Sequence, residues 1–354
     1  MKRATWIGAI TLIVVCIGSS AWAEIGPRRM TLPTENLAKE TYLAGRPGQL
    51  TLALSYEYEI LEDARKGPDY FPNLENMFTS NNTFCLEGIY GFSKNISLSV
   101  LMPFKTIQNT TVADSTILLG LSDQTPRPFN YRRSSRGLGD VILMTYLRAN
   151  FGNILRFGDE YYPASDDDYD NYGESEQPLY AGKPQGPVLA LALGLRLPTG
   201  RNDQTDQFGN RLPDDLQLGS GTMDPIAGLL YFQRMYRIGW GLSGLVRVSS
   251  QENIFHYQWG NEFIATGYLS YRLTKRLEWT NQFNFTFLGR DIKDSQPVTN
   301  RGARVLMAAP SLVYETPGGV TLQATAQVPI YRDYNEIQLS SDYIINLRTS
   351  FNLR

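Results

Sequence analysis

Hydrophobic and polar residues alternate along several segments of the chain. Such alternation predicts β-strands, because successive side chains of a strand point to opposite faces. In residues 50–60 one face carries Leu, Tyr and Ile, and the other carries Thr, Ala, Ser and Glu. The same division recurs in residues 277–287, 320–330 and 343–354. Weaker alternation lies near residues 83–92, 95–105, 138–149, 187–198, 222–234, 237–249, 259–272 and 303–316. These segments predict about twelve strands, and bacterial transmembrane barrels have an even number.

The connections between these strands alternate in length. Short turns are predicted at residues 93–95, 236–237, 274–276 and 317–319. Long polar loops are predicted at residues 61–81, 106–136, 199–221, 250–258, 289–302 and 331–340. Transmembrane barrels have short periplasmic turns and long external loops. The pattern therefore predicts an all-β fold, a transmembrane antiparallel β-barrel over residues 47–354 with periplasmic termini. A soluble β-sandwich is the alternative, although its loop lengths need not alternate.

Residues 150–186 form a long connection where a short periplasmic turn is expected. They contain an acidic run from Asp166 to Glu176 and several tyrosines. Clustered carboxylates suit calcium or a binding partner, whereas the composition favours a solvated excursion without a packed core. In a further alternative, residues 153–156 begin another strand, which would move the acidic run to the outside.

The first residues have the order of a secretory signal peptide. Lys2 and Arg3 precede an apolar run over residues 7–17, and an Ala-Trp-Ala sequence ends at Ala23. We expect cleavage after Ala23, a periplasmic segment over residues 24–46 and a mature protein in the cell outer membrane. The expected partners are the export and barrel-assembly machinery and outer-membrane lipid. A retained anchor helix and a lipoprotein acylated at Cys16 are the alternatives.

The composition agrees with strands that contact lipid. Charged residues make up 19% of the chain, with 21 Tyr and 16 Phe but 1 His, and aromatic residues favour strands and membrane interfaces. The net charge of −2 gives no indication of nucleic-acid binding. Cys85 is the one cysteine after residue 23, so an intramolecular disulfide is excluded there. One His and one Cys do not make a usual metal site, and we expect neither a metal nor a cofactor.

Catalysis is not expected. His256 is the sole histidine and falls in a predicted loop, with Ser249 and Ser250 at the end of the preceding strand. A hydrolase built on a barrel would need a serine and a histidine held together. A barrel hydrolase remains an alternative in which His256 would be the general base.

The predicted inner faces of the strands carry charges of both signs. Charged side chains on the lipid face are costly, so an inward orientation is favoured. The residues predicted to line the pore are Glu57, Glu59, Glu87, Arg148, Arg196, Arg247, Glu262, Arg272, Glu278 and Arg348. These charges could form a selective constriction, or they could pair as salt bridges that fill a narrow barrel.

Two glycine-rich regions resemble a known family. They are the sequence from Arg136 to Asp140, and the sequence from Leu197 to Gly200 followed by residues 218–222 and Asp224. In order and spacing the chain resembles the outer-membrane family named for the meta-pathway of phenol degradation. Glycine permits tight bends at a barrel rim, and proline can end a strand where its missing donor matters least. The predicted outer-mouth motif comprises Gly137, Gly139, Asp140, Pro198, Gly200, Gly221 and Asp224.

The resemblance implies passive passage of small, often aromatic or hydrophobic, organic solutes. The chain departs from the family pattern in its acidic insertion at residues 150–186 and in ending at Arg354 rather than at an aromatic residue. The alternative function is a structural or partner-binding barrel whose lumen is plugged.

Overall fold

The computed structural model describes residues 47–73, 76–114, 128–150 and 185–353. Sixteen strands and one short 3₁₀ helix lie in these ranges. The strands are β1 (Leu50–Gly67), β2 (Asp69–Phe71), β3 (Phe78–Gly91), β4 (Ile96–Asp114), β5 (Pro128–Leu138), β6 (Val141–Asn150), β7 (Gln185–Leu197), β8 (Asp224–Met235), β9 (Ile238–Arg247), β10 (Tyr257–Gln258), β11 (Glu262–Arg272), β12 (Leu277–Leu288), β13 (Ile292–Lys293), β14 (Gln296–Pro297), β15 (Ala303–Glu315) and β16 (Val320–Leu353). The 3₁₀ helix is Asp214–Leu216, between β7 and β8.

An antiparallel sheet closes on itself to form a barrel. Neighbouring strands follow the order β16-β15-β12-β11-β9-β8-β7-β6-β4-β3-β1, and β1 pairs with β16 to complete the ring. The closing register places Leu50 opposite Leu353 and Tyr56 opposite Leu347. The short strand β5 continues the line of β6 beyond a break at Gly139 and Asp140, and it pairs with β4. Closure satisfies the backbone hydrogen bonds of what would otherwise be two exposed sheet edges.

The last strand of the ring crosses the wall twice. Its first part pairs with β15, from Thr321 opposite Glu315 to Tyr334 opposite Ala303. Its last part pairs with β1, and Leu353 lies opposite Leu50 at the same end of the barrel as Glu315. The chain therefore reverses between these parts, near Glu336, whose φ is 54°. The ring of eleven strands thus makes twelve passes in the described part of the chain, and the predicted barrel is confirmed.

The two ends of the barrel differ. The four predicted short turns lie at one end, called here the turn end, together with Leu50 and Leu353. The connections β7–β8, β9–β11 and β12–β15 lie at the opposite loop end. The ends of β6 and β7 that flank residues 151–184 lie at the turn end, because Ile96 pairs with Leu147 and Asn150 with Val188. The described residues do not include the acidic run, whose carboxylates would suit calcium or a partner. They also do not include the predicted signal peptide or the N-terminal segment.

Three predicted loops contain more strand than expected. β1 and β3 extend into residues 61–81, β4 and β5 extend into residues 106–136, and β16 continues through residues 331–340. The sequence pattern does not reveal these extensions, because polar side chains on both faces remove the alternation while the backbone ladder continues. Elongated hairpins therefore project from the loop end.

The outward face is apolar along the ring. In β12, Trp279, Phe283 and Phe287 are exposed outward, whereas Thr280 and Gln282 between them are buried inside. This arrangement follows the predicted alternation and gives the barrel a surface that suits lipid. Among the described residues, no helix has the length and apolar character needed to cross a bilayer.

Candidate functional site

One side of the barrel interior is apolar. Inward side chains of the strands from β3 to β11 pack into one buried cluster, and their neighbours along each strand face outward. The cluster contains Cys85, Leu101, Ile142, Met144, Tyr146, Ala190, Ala192, Ile226, Leu230, Leu245 and Ile264. These strands are apolar on both faces, which explains why their alternation is weak in the sequence.

The opposite side of the interior is polar. It is formed by β12, β16 and β1, whose inward positions are mostly Ser, Thr, Asn and Gln, whereas the inward positions of β15 between them are mostly Ala, Val and Met. Thr266 donates to the Asn284 Oδ1 over 2.9 Å, and the Gln323 Nε2 donates to the Ser311 Oγ over 3.0 Å. The lumen is therefore amphipathic across its width, with an apolar wall facing a wall of hydroxyl and amide groups.

The structure places the predicted pore-lining residues on the interior face. Glu87, Arg148, Arg196, Arg247, Glu262, Glu278 and Arg348 are buried there. Glu57 lies between Thr83 and Asn346, which both face inside. Glu59 accepts from the Asn81 Nδ2 over 3.2 Å and from the Ser341 hydroxyl. Their role in passage remains a proposal.

Two groups of ion pairs join nearby strands on the interior face near the turn end. The Arg348 Nη2 lies 2.8 Å from a Glu87 oxygen, and these side chains are 4% and 3% exposed. The Arg234 Nη2 donates to both Glu278 oxygens over 2.9 Å, and the Arg272 Nε lies 4.0 Å from the same carboxylate. The carboxylates of Glu87 and Glu278 are thus neutralised by arginines from nearby strands, as a buried charge requires.

A belt of alternating charges follows the loop end of the interior from the β5–β6 junction to β11. We call Asp140, Arg196, Asp224, Arg247 and Glu262 the charge belt. Asp224 accepts from Arg196 and also lies 3.2 Å from the Arg247 Nη1, while the Arg247 Nε lies 3.2 Å from Glu262. Arg196 lies 3.8 Å from Asp140. The belt side chains are between 0 and 9% exposed, so pore-lining and outer-mouth residues belong to one buried network.

The outer-mouth motif holds the β7–β8 loop, residues 198–223, against the barrel. Asp140 accepts from the Gly200 N–H over 3.1 Å and from the Ser220 N–H over 2.7 Å. A Cβ on Gly219 would lie 1.9 Å from the carbonyl oxygen of Gly200, so only glycine fits there. The loop is thereby attached to the wall at Asp140, at the break between β5 and β6.

The remaining residues of the outer-mouth motif lie where the β7–β8 loop meets the wall. β7 ends at Leu197, immediately before Pro198. Gly221 has a φ of 73°, and a Cβ there would lie 2.1 Å from the Asn202 amide nitrogen. A Cβ on Gly137 would lie 2.9 Å from the Leu218 side chain, and a Cβ on Gly139 would lie 3.2 Å from the Pro103 ring. The glycines therefore permit close contact between loop and wall.

The β7–β8 loop extends across the loop end. Leu212, Leu216 and Leu218 are buried against Ile107 of β4. In the other direction, Asp215 of the 3₁₀ helix lies 2.7 Å from Arg301, which precedes β15. The loop begins and ends at β7 and β8, so contacts with both β4 and the β12–β15 connection carry it over the opening.

Two further loops interlock with the β7–β8 loop. β10 of the β9–β11 loop pairs with β13 of the β12–β15 loop, and the Asn253 Nδ2 donates to the Ser220 carbonyl over 3.0 Å. Asp291 accepts from the Gly260 N–H over 2.6 Å and from the Tyr257 hydroxyl. We call the β7–β8, β9–β11 and β12–β15 loops together the loop cap.

Burial and neighbouring charges together shift the pKa values of groups inside the cap. Burial and the nearby Asp291 carboxylate raise the pKa of the Tyr257 hydroxyl. Burial also raises the pKa of Asp291, although hydrogen bonds from Tyr257 and Gly260 oppose that shift. Burial alone would lower the pKa of Arg301, but Asp215, Tyr257 and Asp291 raise it overall. Arg301 therefore remains a cation between two loops.

A cavity opens at the turn end. Its volume is about 180 Å³, and it is partly open to solvent. We call it the turn-end vestibule. Its charged lining consists of Arg272, Lys275, Arg276, Glu278, Glu315 and Arg348. Two predicted pore-lining arginines and Glu278 thus border a partly open cavity at this end of the lumen.

His256 has the surroundings of a surface residue. Its side chain is 73% exposed, and the Nδ1 lies 3.5 Å from a Glu252 oxygen. Nothing in the described chain pairs it with the buried Ser249 hydroxyl. Within the described ranges, no group of three or more His, Cys, Asp or Glu side chains is arranged to hold a metal ion.

A comparison with protein-family models tests the resemblance that the glycine-rich regions suggest. The model of the family described as "Putative MetA-pathway of phenol degradation" matches residues 79–333. The chain belongs to this family. The match covers both glycine-rich regions, the charge belt and most of the ring, so the predicted resemblance is confirmed. No curated protein matches the chain by sequence.

Several solved structures of outer-membrane proteins are similar to this chain. The crystal structure of an outer-membrane channel from Pseudomonas putida F1 is 12% identical, with a TM-score of 0.61 over 87% of this chain and 96% of that one. A FadL homologue from Pseudomonas aeruginosa is 9% identical, with a TM-score of 0.39 over 87% of this chain and 91% of that one. The translocator domain of the autotransporter NalP from Neisseria meningitidis is 10% identical, with a TM-score of 0.37 over 90% and 92%. The first of these comparisons identifies the fold as that of an outer-membrane β-barrel.

Sequence reasoning missed several residues of the site. Arg234 has the same parity along β8 as Asp224, so alternation could have placed it inside. Tyr257, Asp291 and Arg301 lie in loops and give no periodic signal. Leu212, Leu216 and Leu218 are the sequence feature that could have indicated the cap, because leucines in a long polar loop need a surface to cover them.

Proposed function

We propose that this protein is a passive channel of the outer membrane for small organic solutes. The observation that carries the proposal is the arrangement of the lumen: a solvent-connected vestibule opens at the turn end, and the opposite end is closed by loops rather than by the wall. A lumen closed by loops can open without breaking the closed ladder of the barrel. The family match supports the same function.

The proposed solutes are small and aromatic or otherwise hydrophobic. An apolar wall faces a wall of hydroxyl and amide groups, so an aromatic ring with one polar substituent would find a partner on each side. The description of the family, which refers to phenol degradation, agrees with this class. In the membrane we propose that the turn end is periplasmic and that residues 1–23 are removed during export.

Conductance of the purified barrel in a planar bilayer tests the channel. We expect a small conductance for the native protein and a larger one after residues 203–216 are replaced by a short Gly-Ser linker, because that segment carries Leu212, Leu216 and the 3₁₀ helix. The matched control shortens the connection between β1 and β3, whose described residues 68–73 also lie at the loop end but outside the cap. If neither the native nor the trimmed barrel conducts ions or passes solutes, the channel proposal is wrong.

A second candidate is a closed barrel whose loops bind a partner. The interlocking of three loops and the burial of the charge belt favour it. A closed barrel of this kind should show no conductance even after residues 203–216 are replaced. A hydrolase is the least supported alternative, and retention of any hydrolytic activity by a His256→Ala variant would exclude His256 as its general base.

A further inference from the structure

The turn-end vestibule has a surplus of positive charge. Four basic side chains border it, Arg272, Lys275, Arg276 and Arg348, against the two acidic side chains of Glu278 and Glu315. Outside the lining, Arg234 pairs with Glu278 and Glu87 pairs with Arg348, so these two further charges cancel and the surplus of two positive charges remains. A cleft lined by an excess of one sign of charge focuses the electric field and attracts ions of the opposite sign.

The cations lie at two depths. Arg348 is buried at the inner end, where it pairs with Glu87. Lys275 and Arg276 are exposed in the turn between β11 and β12, and their side chains border the mouth of the cavity. That turn is fixed by the Thr274 hydroxyl, which accepts from the backbone N–H groups of residues 276 and 277 over 3.2 and 2.9 Å. The two exposed cations therefore project from a hydrogen-bonded turn.

Apolar side chains line the same space. Ile89 of β3 and Val313 of β15 face the interior and border the vestibule. An inorganic anion would gain nothing from them, whereas an anion with an apolar body would bury surface at about 25 cal/mol per Å². The combination favours an organic acid over a bare ion.

We propose that the turn-end vestibule binds small aromatic carboxylates, with the carboxylate near Lys275 and Arg276 and the ring toward Ile89 and Val313. The role of this site in passage rests on the proposed channel function, but the binding itself does not. The vestibule would then give the lumen a preference for anionic over neutral aromatic solutes on the turn-end side.

Calorimetric titration of the full barrel in a non-ionic detergent tests the binding, with empty micelles as the blank. The probes are sodium benzoate, sodium acetate and benzamide. We expect benzoate to bind most tightly, acetate to lack the apolar contribution and benzamide to lack the charge. Raising the salt concentration from 0.05 to 0.5 M should weaken benzoate binding, because it shortens the Debye length from about 14 to about 4 Å.

Substitutions in the turn provide the decisive comparison. The pair Lys275→Gln and Arg276→Gln should weaken benzoate binding, and the pair Lys275→Glu and Arg276→Glu should weaken it further, by about tenfold overall. Lys94→Glu is the matched control, because Lys94 lies in the β3–β4 turn at the same end but outside the vestibule lining. Equal benzoate affinity in the native protein and the double-glutamate variant would overturn the proposal.

Conductance separates this proposal from the channel itself. If the barrel conducts but benzoate neither binds nor reduces the current, the vestibule site is wrong and the channel remains. If benzoate binds and the double-glutamate variant loses it while no barrel conducts, the site is supported and the channel fails.

Discussion

The attachment of the β7–β8 loop at Asp140 gives the sharpest test of the loop cap. The carboxylate accepts two backbone N–H groups, from Gly200 and Ser220, and is 6% exposed. Asp140→Asn keeps the shape and one acceptor oxygen, but it turns an amide nitrogen toward one of the two donors. Hydrogen bonds to charged groups contribute about 1.5–3 kcal/mol, so we expect this substitution to destabilise loop attachment by about 2–3 kcal/mol.

Such a change raises the population of detached loop by about 30-fold to 150-fold, because 1.4 kcal/mol corresponds to tenfold. Trypsin cleavage after Arg211 reports that population when opening is fast relative to cleavage. In the attached loop the Arg211 side chain is held in place, because its guanidinium lies 2.7 Å from Asp214 and 3.7 Å from the centre of the Phe255 ring. These contacts should limit access of trypsin to Arg211. Cleavage there should accelerate in proportion to detachment.

Asp203→Asn is the matched control. Asp203 lies in the same loop and loses the same charge, but its side chain is 57% exposed and pairs only with exposed Arg201 in the contacts described. We expect its cleavage rate to equal that of the native protein, with the heat-dependent gel shift of the folded barrel unchanged in both variants. If Asp140→Asn and Asp203→Asn are cleaved equally fast at Arg211, Asp140 does not hold the loop.

Three further predictions concern the loop, the lumen and the lipid face. Gly219→Ala should cost about 1–3 kcal/mol through overpacking against the Gly200 carbonyl, measured as faster tryptic cleavage of the loop. Arg348→Ala should lower the free energy of unfolding by about 3–5 kcal/mol, measured in urea from lipid vesicles, because it leaves Glu87 buried without its arginine. Phe283→Arg should cost about 2–4 kcal/mol in the same assay, since it places a charge in the middle of an outward strand face.

Each of these variants has a control of similar chemistry. Gly209→Ala adds a Cβ that meets no atom within 4 Å, so only its positive φ of 83° opposes it. Arg304→Ala removes a 60% exposed arginine whose partner Asp333 is also accessible, and should cost less than about 1 kcal/mol. Phe208→Arg changes an exposed loop residue and should be nearly neutral in the vesicle assay. Equal losses in a variant and its control would contradict the mechanism assigned to that variant.

The barrel could be predicted from the sequence because its strongest signal is local. The inward positions of Glu87 and Glu278 follow from the period of two along β3 and β12 and need no knowledge of distant residues. The partner of a charge cannot be predicted in that way. Arg234 reaches Glu278 through a register that depends on the order of β8, β9, β11 and β12 around the ring.

The loop cap could not be predicted for a related reason. The burial of Leu216 depends on Ile107, which is far away in sequence and becomes its neighbour only when β4, β6 and β7 have paired in the sheet. Asp140 illustrates the intermediate case. The glycine-rich surroundings indicate a special backbone at the rim, but not that the carboxylate would accept N–H groups from the other glycine-rich region.

The energetics of the two ends indicate which part of the molecule must move for passage. The wall is held by a continuous antiparallel ladder from β1 round to β16, and opening it anywhere would expose unpaired backbone groups to lipid at several kcal/mol each. The β7–β8 loop is held by fewer attachments, among them Asp140, the leucines against Ile107 and the pair of Asp215 with Arg301. Several of these attachments end on solvent-facing loops, where released polar groups regain water. Displacement of the loop therefore costs less than deformation of the wall, and the charge belt, which belongs to the wall, should remain in place as the rim of the opening.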